Sequence, residues 1–219
     1  MTDQLILKFP TNNVYLKEDF YVSSSNQEAY EFINSWPKWI KRIVNIFGPP
    51  GSGKTHLASI LKSKTSTLKI ESDALDDKIF FEFKTKEALI IENLNEKVSE
   101  NLLFSLWNFA LQDNKYLLIT STKPISAYKF KLPDLKSRAS SSMIIGINLP
   151  SDDLISVILT KNFSDKQIKV EKKHIDYIIK RIDRSYEKVS QFISILDKYS
   201  IKKSNPFNLK LIKEVLKMI

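Results

Sequence analysis

Eight consecutive residues, Gly48-Pro49-Pro50-Gly51-Ser52-Gly53-Lys54-Thr55, have the types and spacing of a phosphate cradle. Glycines at these positions let backbone N–H groups turn toward phosphate oxygens, and a helix opening at Lys54 adds its positive end. At this spacing Lys54 would reach the β- and γ-phosphates of a nucleotide, and the Thr55 hydroxyl would take a Mg2+ ion. The ligand implied is ADP or ATP, with Gly48, Pro50, Gly51, Ser52, Gly53, Lys54, Thr55 and His56 around its phosphates. The chain has only four glycines, and three of them fall in this loop.

Such a site usually needs an acid at the end of a second buried strand to hold the metal. Ala88-Leu89-Ile90-Ile91-Glu92-Asn93 is the one convincing candidate, with Glu92 at the metal position. Asn93 follows, where many ATPases carry a second acid that polarises the attacking water. An amide cannot take up a proton as a carboxylate does. The pair therefore predicts tight nucleotide binding with slow hydrolysis, or merely the end of a core strand. A third strand ends in Thr120-Ser121-Thr122-Lys123-Pro124. Thr122 first, and Ser121 second, would sense the γ-phosphate or the water; the alternative is a strand-end turn whose hydroxyls are satisfied locally.

Arginine is scarce: Arg42, Arg138, Arg181 and Arg184 are the whole set. Its planar fork suits phosphate better than lysine does. Arg138, in Leu135-Lys136-Ser137-Arg138 just before the last core strand, would lie far from its own phosphate loop. It is either an arginine finger aimed into a neighbour's nucleotide site or a surface arginine in a loop. Arg184 either folds over the nucleotide or caps its own helix.

The elements that must position these residues alternate. Residues 26–36 read as a helix with Ala29, Phe32 and Ile33 on one face. Ile43–Phe47 is a short apolar run before the glycine loop, and residues 54–61 open a helix. Strands at 88–91, 116–120 and 143–149, with a helix at 102–111, predict a parallel sheet covered on both faces. After Pro150 the strand signals stop, and 152–161, 172–182, 185–199 and 208–218 read as amphipathic helices. Ser151 before Asp152-Asp153 is the expected N-cap. The predicted organisation is a tail (1–13), an α/β nucleotide-binding core (14–149) and a small all-helical lid (150–219).

Composition narrows the function classes. The 219 residues include no cysteine, which excludes disulfides, thiolate metal sites and cysteine catalysis. No apolar run approaches the ~20 residues needed to span a bilayer, and the first residues lack a signal-peptide pattern. A cytoplasmic protein with no membrane partner is the expectation. The net charge is +9. Residues 1–149 carry 19 basic and 16 acidic groups (+3), and the remainder 15 and 9 (+6). That excess is either a nucleic-acid face or a solvated lysine-rich surface.

Taken together, Phe20-Tyr21-Val22-Ser23-Ser24-Ser25-Asn26, the loop through His56, Thr120-Ser121-Thr122-Lys123-Pro124, Leu135-Lys136-Ser137-Arg138 and the lid resemble the DnaA/Hda family of AAA+ replication proteins. Ser35-Trp36-Pro37-Lys38-Trp39, residues 51–58 and Arg181-Ile182-Asp183-Arg184-Ser185 look closer to its regulatory Hda branch, in the alphaproteobacterial form. The resemblance covers essentially the whole chain. It implies an α/β fold: a P-loop AAA+ core with a parallel five-stranded sheet, followed by a small all-helical lid. It also implies that Tyr21 and Val22 line the adenine pocket, and that Arg138 is a finger acting in trans on DnaA.

Residues 4–9, Gln4-Leu5-Ile6-Leu7-Lys8-Phe9, are similar to the peptide by which bacterial proteins dock on the DNA polymerase sliding clamp. Gln4 would hydrogen-bond at one end while Leu7 and Phe9 fill an apolar pocket. From pattern alone, an edge strand with Leu5, Leu7 and Phe9 on one face fits equally. The function implied is negative regulation of replication initiation: an ADP- or ATP-bound protein on the clamp stimulates hydrolysis by DnaA, reaches DNA indirectly through the clamp, and has little ATPase of its own. A homo-oligomer is compatible with this. Two departures stand out. The lid stretch Ser185-Tyr186-Glu187-Lys188-Val189 lacks the family's arginine, so Arg184 is a weak substitute, and Glu92-Asn93 replaces an acidic pair. The chain ends at Ile219, where DnaA would continue into a DNA-binding domain. The competing readings are a stand-alone AAA+ ATPase or helicase-loader-like factor, and a DNA-binding initiator paralogue using the basic lid.

Overall fold

The computed structural model describes residues 19–165, 168, 170–203 and 208–219. Gln4, Leu5, Leu7 and Phe9 lie outside them. Five strands, β1 (Ile43–Phe47), β2 (Thr67–Glu71), β3 (Ala88–Leu94), β4 (Tyr116–Ser121) and β5 (Met143–Gly146), form one sheet in the order β2-β3-β4-β1-β5. Every neighbouring pair is parallel. The α/β fold with a five-stranded parallel sheet is thus as expected. The residue pattern had revealed four of the strands; β2 is the fifth.

Strand alternation divides the core in two. Val44, Ile46, Ile90, Leu118 and Ile145 point to one face, where α1 (Gln27–Asn34) and α2 (Lys54–Lys64) cover them with Ala29, Ile33, Leu57, Ala58 and Leu61. Ile43, Leu89, Ile91, Leu117 and Ile119 point to the other. There α3 (Ile79–Lys84), α4 (Glu100–Gln112) and α5 (Pro133–Ser141) contribute Phe83, Leu103, Leu106, Trp107, Leu135 and Ala139. Each fully buried aliphatic or aromatic side chain is worth roughly 1.5–3 kcal/mol relative to exposure, so these two layers fix the sheet as a platform.

β5 ends earlier than the apolar run suggests. Beyond Gly146, Ile147 N still donates to Phe47 O (2.7 Å), but Asn148 N donates to Ser25 O (2.9 Å), so the chain leaves the sheet toward the segment before α1. The helices α6 (Asp152–Asp165), α7 (Lys172–Ile179), α8 (Tyr186–Lys203) and α9 (Leu209–Leu216) follow. They share their own apolar cluster, built on Ile155, Leu159, Phe163, Ile178, Phe192, Leu196 and Ile212. Ser151 Oγ accepts from Leu154 N at 3.3 Å, which satisfies a free amide at the start of α6.

Candidate functional site

In open parallel sheets, ligands settle beyond the carboxyl ends of the strands. The chain leaves β1 at Phe47, forms the loop 48–53, and enters α2 at Lys54. Gly53 is the N-cap of α2 with φ 92°, and Gly51 has φ 77°. Both lie in the left-handed region that side chains resist. Space also demands glycine there: a Cβ on Gly53 would sit 2.9 Å from Phe20 Cε2, and one on Gly51 would sit 3.1 Å from Tyr186 Cβ. Two residues that the sequence reading had not assigned to this site, Phe20 and Tyr186, thus flank the loop. Phe20 stacks on Tyr30 and meets His56 edge-on at 5.2 Å. Tyr186, the first residue of α8, shares a hydroxyl contact with Ser25 Oγ and donates to Asn148 O (3.2 Å).

The loop faces an open cleft of about 440 Å³ lined by Pro50, Gly51, Ser52, Gly53, Lys54, Thr55, His56, Asn93 and Thr122. Residues from three separate strand ends meet there, as the sequence reading expected for the loop, Asn93 and Thr122. Lys54 is buried and donates to Gly48 O (2.8 Å) and Pro49 O (2.9 Å). Burial pushes its ammonium below the usual lysine range, and Glu92 opposes that shift. Ser52 Oγ is buried with no partner among the described residues. A ring of backbone donors, a cation and a helix N-terminus is the chemistry of a phosphate site.

Thr122 reaches the cleft because a buried side chain holds the turn before it. Asn45 of β1, 0% exposed, donates to Ile119 O (3.0 Å) and Ser121 Oγ (2.8 Å), and its Oδ1 accepts from Ile125 N (2.9 Å). Ser121 Oγ donates onward to Lys123 O (2.7 Å). Ser121 is therefore fully engaged within the turn, and Thr122 is the exposed member.

At the end of β3 the geometry is unusual. The β3–β4 register shifts between Ile91 and Leu94, and Asn93 adopts φ 54°. Its amide donates to Thr120 Oγ1 (3.0 Å), its carbonyl accepts from Ser72 Oγ (2.8 Å), and its Nδ2 donates to Glu71 Oε2 (2.9 Å). Glu92 is 1% exposed, with Oε2 ion-paired to Lys69 Nζ of β2 at 2.5 Å and Oε1 without a partner among the described residues. Thr55 and the free Glu92 oxygen are what a hydrated Mg2+ would use, but Lys69 cancels the charge that would draw it in. Among the described residues, no group of three or more His, Asp or Glu side chains could hold a metal alone.

The other expected residues lie elsewhere. Tyr21 and Val22 sit on the segment entering α1. The Tyr21 carbonyl accepts from Asn26 Nδ2 (2.9 Å), Lys161 Nζ lies 5.3 Å from its ring, and Val22 is 46% exposed. Arg138 is on helix α5 rather than in a loop, with its guanidinium 5.2 Å from the Phe104 ring, away from the phosphate cleft. Arg184 pairs with Asp152 of α6 (2.9 Å) and does not line the cleft. No described helix is long and apolar enough to cross a membrane.

No family profile matches the chain. Sequence comparison finds the chromosomal replication initiator protein DnaA of Campylobacter jejuni, 26% identical over 234 residues, covering 94% of this chain and 53% of that protein. The chain spans about half the length of the DnaA proteins it matches. Among solved structures, domain III of the Thermotoga maritima initiator DnaA superposes with a TM-score of 0.76 at 17% identity, covering 96% of this chain and 98% of that one. DnaA of Aquifex aeolicus bound to AMPPCP gives 0.72 at 18% identity, with coverage of 93% and 70%. The chain is thus related to DnaA at low identity and carries an AAA+ fold of the DnaA domain III type.

Proposed function

We propose that this chain is a nucleotide-holding AAA+ regulator of replication initiation that acts on DnaA. ADP or ATP occupies the cleft, with its phosphates on the amides of Gly51, Gly53, Lys54 and Thr55 and on the Lys54 ammonium, and its adenine near Tyr21 and Val22. Residues 4–9 dock on the sliding clamp, so DNA is met through the clamp. Arg138 enters the nucleotide site of DnaA and stabilises charge on the transferring phosphoryl group. The likeness to an AMPPCP-bound DnaA supports the nucleotide.

One observation carries the regulator reading over that of a vigorous ATPase. The residue facing the cleft beside Glu92 is Asn93, and its side-chain amide is spent on Glu71. A water there has no carboxylate base within the cleft lining, so nucleotide is held rather than turned over.

The test is an ATP hydrolysis assay with DnaA and clamp-loaded DNA. The purified chain alone hydrolyses ATP slowly, and adding it speeds hydrolysis by DnaA only when clamp is present. Unchanged DnaA turnover sinks the reading. Arg138→Ala keeps nucleotide and clamp binding and loses the stimulation, by roughly 10³-fold or more if it is a true finger. Replacing Gln4 and Leu7 with Ala abolishes clamp pull-down; retained binding returns residues 4–9 to an ordinary strand.

A further inference from the structure

The end of β3 should present a bare carboxylate to a metal, but here an edge strand has reached across and neutralised it. β2 runs parallel to β3 in the register Lys69↔Ile90 and Glu71↔Glu92. Side chains two residues apart on a strand share a face, so Lys69, Glu71, Ile90 and Glu92 all point to the α2 side of the sheet. Lys69 lies one pleat behind Glu92, and its four-carbon stem spans that offset to bring Nζ within 2.5 Å of Glu92 Oε2. The lysine stays 26% exposed while the carboxylate is 1% exposed. The cation therefore keeps part of its hydration, and the acid depends on it for charge balance.

Lys54 is the second positive charge acting on Glu92, since the carboxylate raises the pKa of this lysine. Two ammonium groups thus act on one carboxylate, Lys69 in direct contact and Lys54 through space. Mg2+ sheds water reluctantly and is normally bound by one or two carboxylates together with substrate phosphates. Here the protein's share shrinks to the Thr55 hydroxyl in the cleft lining and a buried, charge-cancelled Glu92 behind Asn93.

We propose that Lys69 is a specificity-determining residue that releases nucleotide binding from its dependence on Mg2+: a fixed ammonium on β2 balances Glu92, so a nucleoside diphosphate binds without a divalent cation. This proposal rests on the nucleotide reading above. It adds that the ligand is held in its metal-free form, which suits a protein that keeps nucleotide rather than cleaving it.

The experiment titrates a fluorescent ADP analogue against the full chain in Mg2+ and in EDTA, with Mn2+ binding to the ADP complex followed by electron paramagnetic resonance. In the wild-type chain the two dissociation constants agree within about threefold, and the ADP complex binds Mn2+ no more tightly than free ADP does. Lys69→Met leaves Glu92 bare, so binding becomes about tenfold or more weaker in EDTA than in Mg2+. Lys69→Arg restores the metal-free behaviour, and Lys69→Met with Glu92→Gln removes the acquired dependence. The Mn2+ measurement needs only the wild-type chain, so it decides the matter even if Lys69→Met fails to fold. Tight ADP binding that collapses in EDTA in the wild-type chain overturns this proposal alone. Absence of ADP binding in both conditions overturns the nucleotide reading and this proposal with it.

Discussion

The two walls of the phosphate cleft are built by opposite means. The loop wall, 48–55, is local: two glycines in the left-handed region and the first turn of α2 create it from consecutive residues. The wall at Asn93 is held from behind by residues of several strands. Lys69 and Glu71 come from β2, Glu92 and Asn93 from β3, and Thr120 from β4, joined by an ion pair and side-chain hydrogen bonds. A local wall fails when a single backbone conformation is denied. A cross-strand wall is set by register, and its parts compensate for one another.

The contrast can be broken at its strongest point first. Lys54→Ala removes the one lysine among the described residues that line the cleft and should weaken ADP binding about 30- to 150-fold, the equivalent of about 2–3 kcal/mol for charge-assisted bonds. A fluorescence titration checks it, and a loss under threefold would mean the phosphates are held by backbone amides alone. Gly53→Ala comes next. Its φ of 92° and the 2.9 Å approach of Phe20 should cost about 1–3 kcal/mol of stability, read as a lowered midpoint in urea. Asn93→Gly should have the smallest effect. It relieves the left-handed backbone but loses the bond to Glu71, two effects of about 1 kcal/mol that oppose each other. A urea midpoint shift larger than that of Gly53→Ala would show the wall at Asn93 to be as brittle as the loop.

The same contrast explains what could be read from the sequence. The loop, its flanking strand and helix, and the amphipathic helices after Pro150 follow from periodicity and glycine placement, and all of them form. Strand β2 escaped because Thr67-Leu68-Lys69-Ile70-Glu71 alternates charge with apolar residues on a partly exposed edge, a pattern too short and polar to stand out. Helix α5 escaped because Ser137, Ser140 and Ser141 have poor helix propensity. It is held instead by burial of Leu135 and Ala139, and by Glu100, whose carboxylate accepts from Lys131 N and Leu132 N just ahead of it. Phe20 and Tyr186 have no local signal at all: what gives them a place in the site is the empty space at Gly53 and Gly51, some 30 and 135 residues away.

Asn45 has one further consequence. The strand that delivers the phosphate loop is stitched to the turn that carries Thr122 by this side-chain amide, beside the backbone bond from Gly48 N to Ser121 O. Loop and turn therefore cannot drift apart independently, and the spacing across which a terminal phosphate would be felt is gauged by a side chain that touches neither the phosphate nor the solvent. A ruler of this kind sets the loop-to-turn spacing from contacts that lie outside the cleft lining.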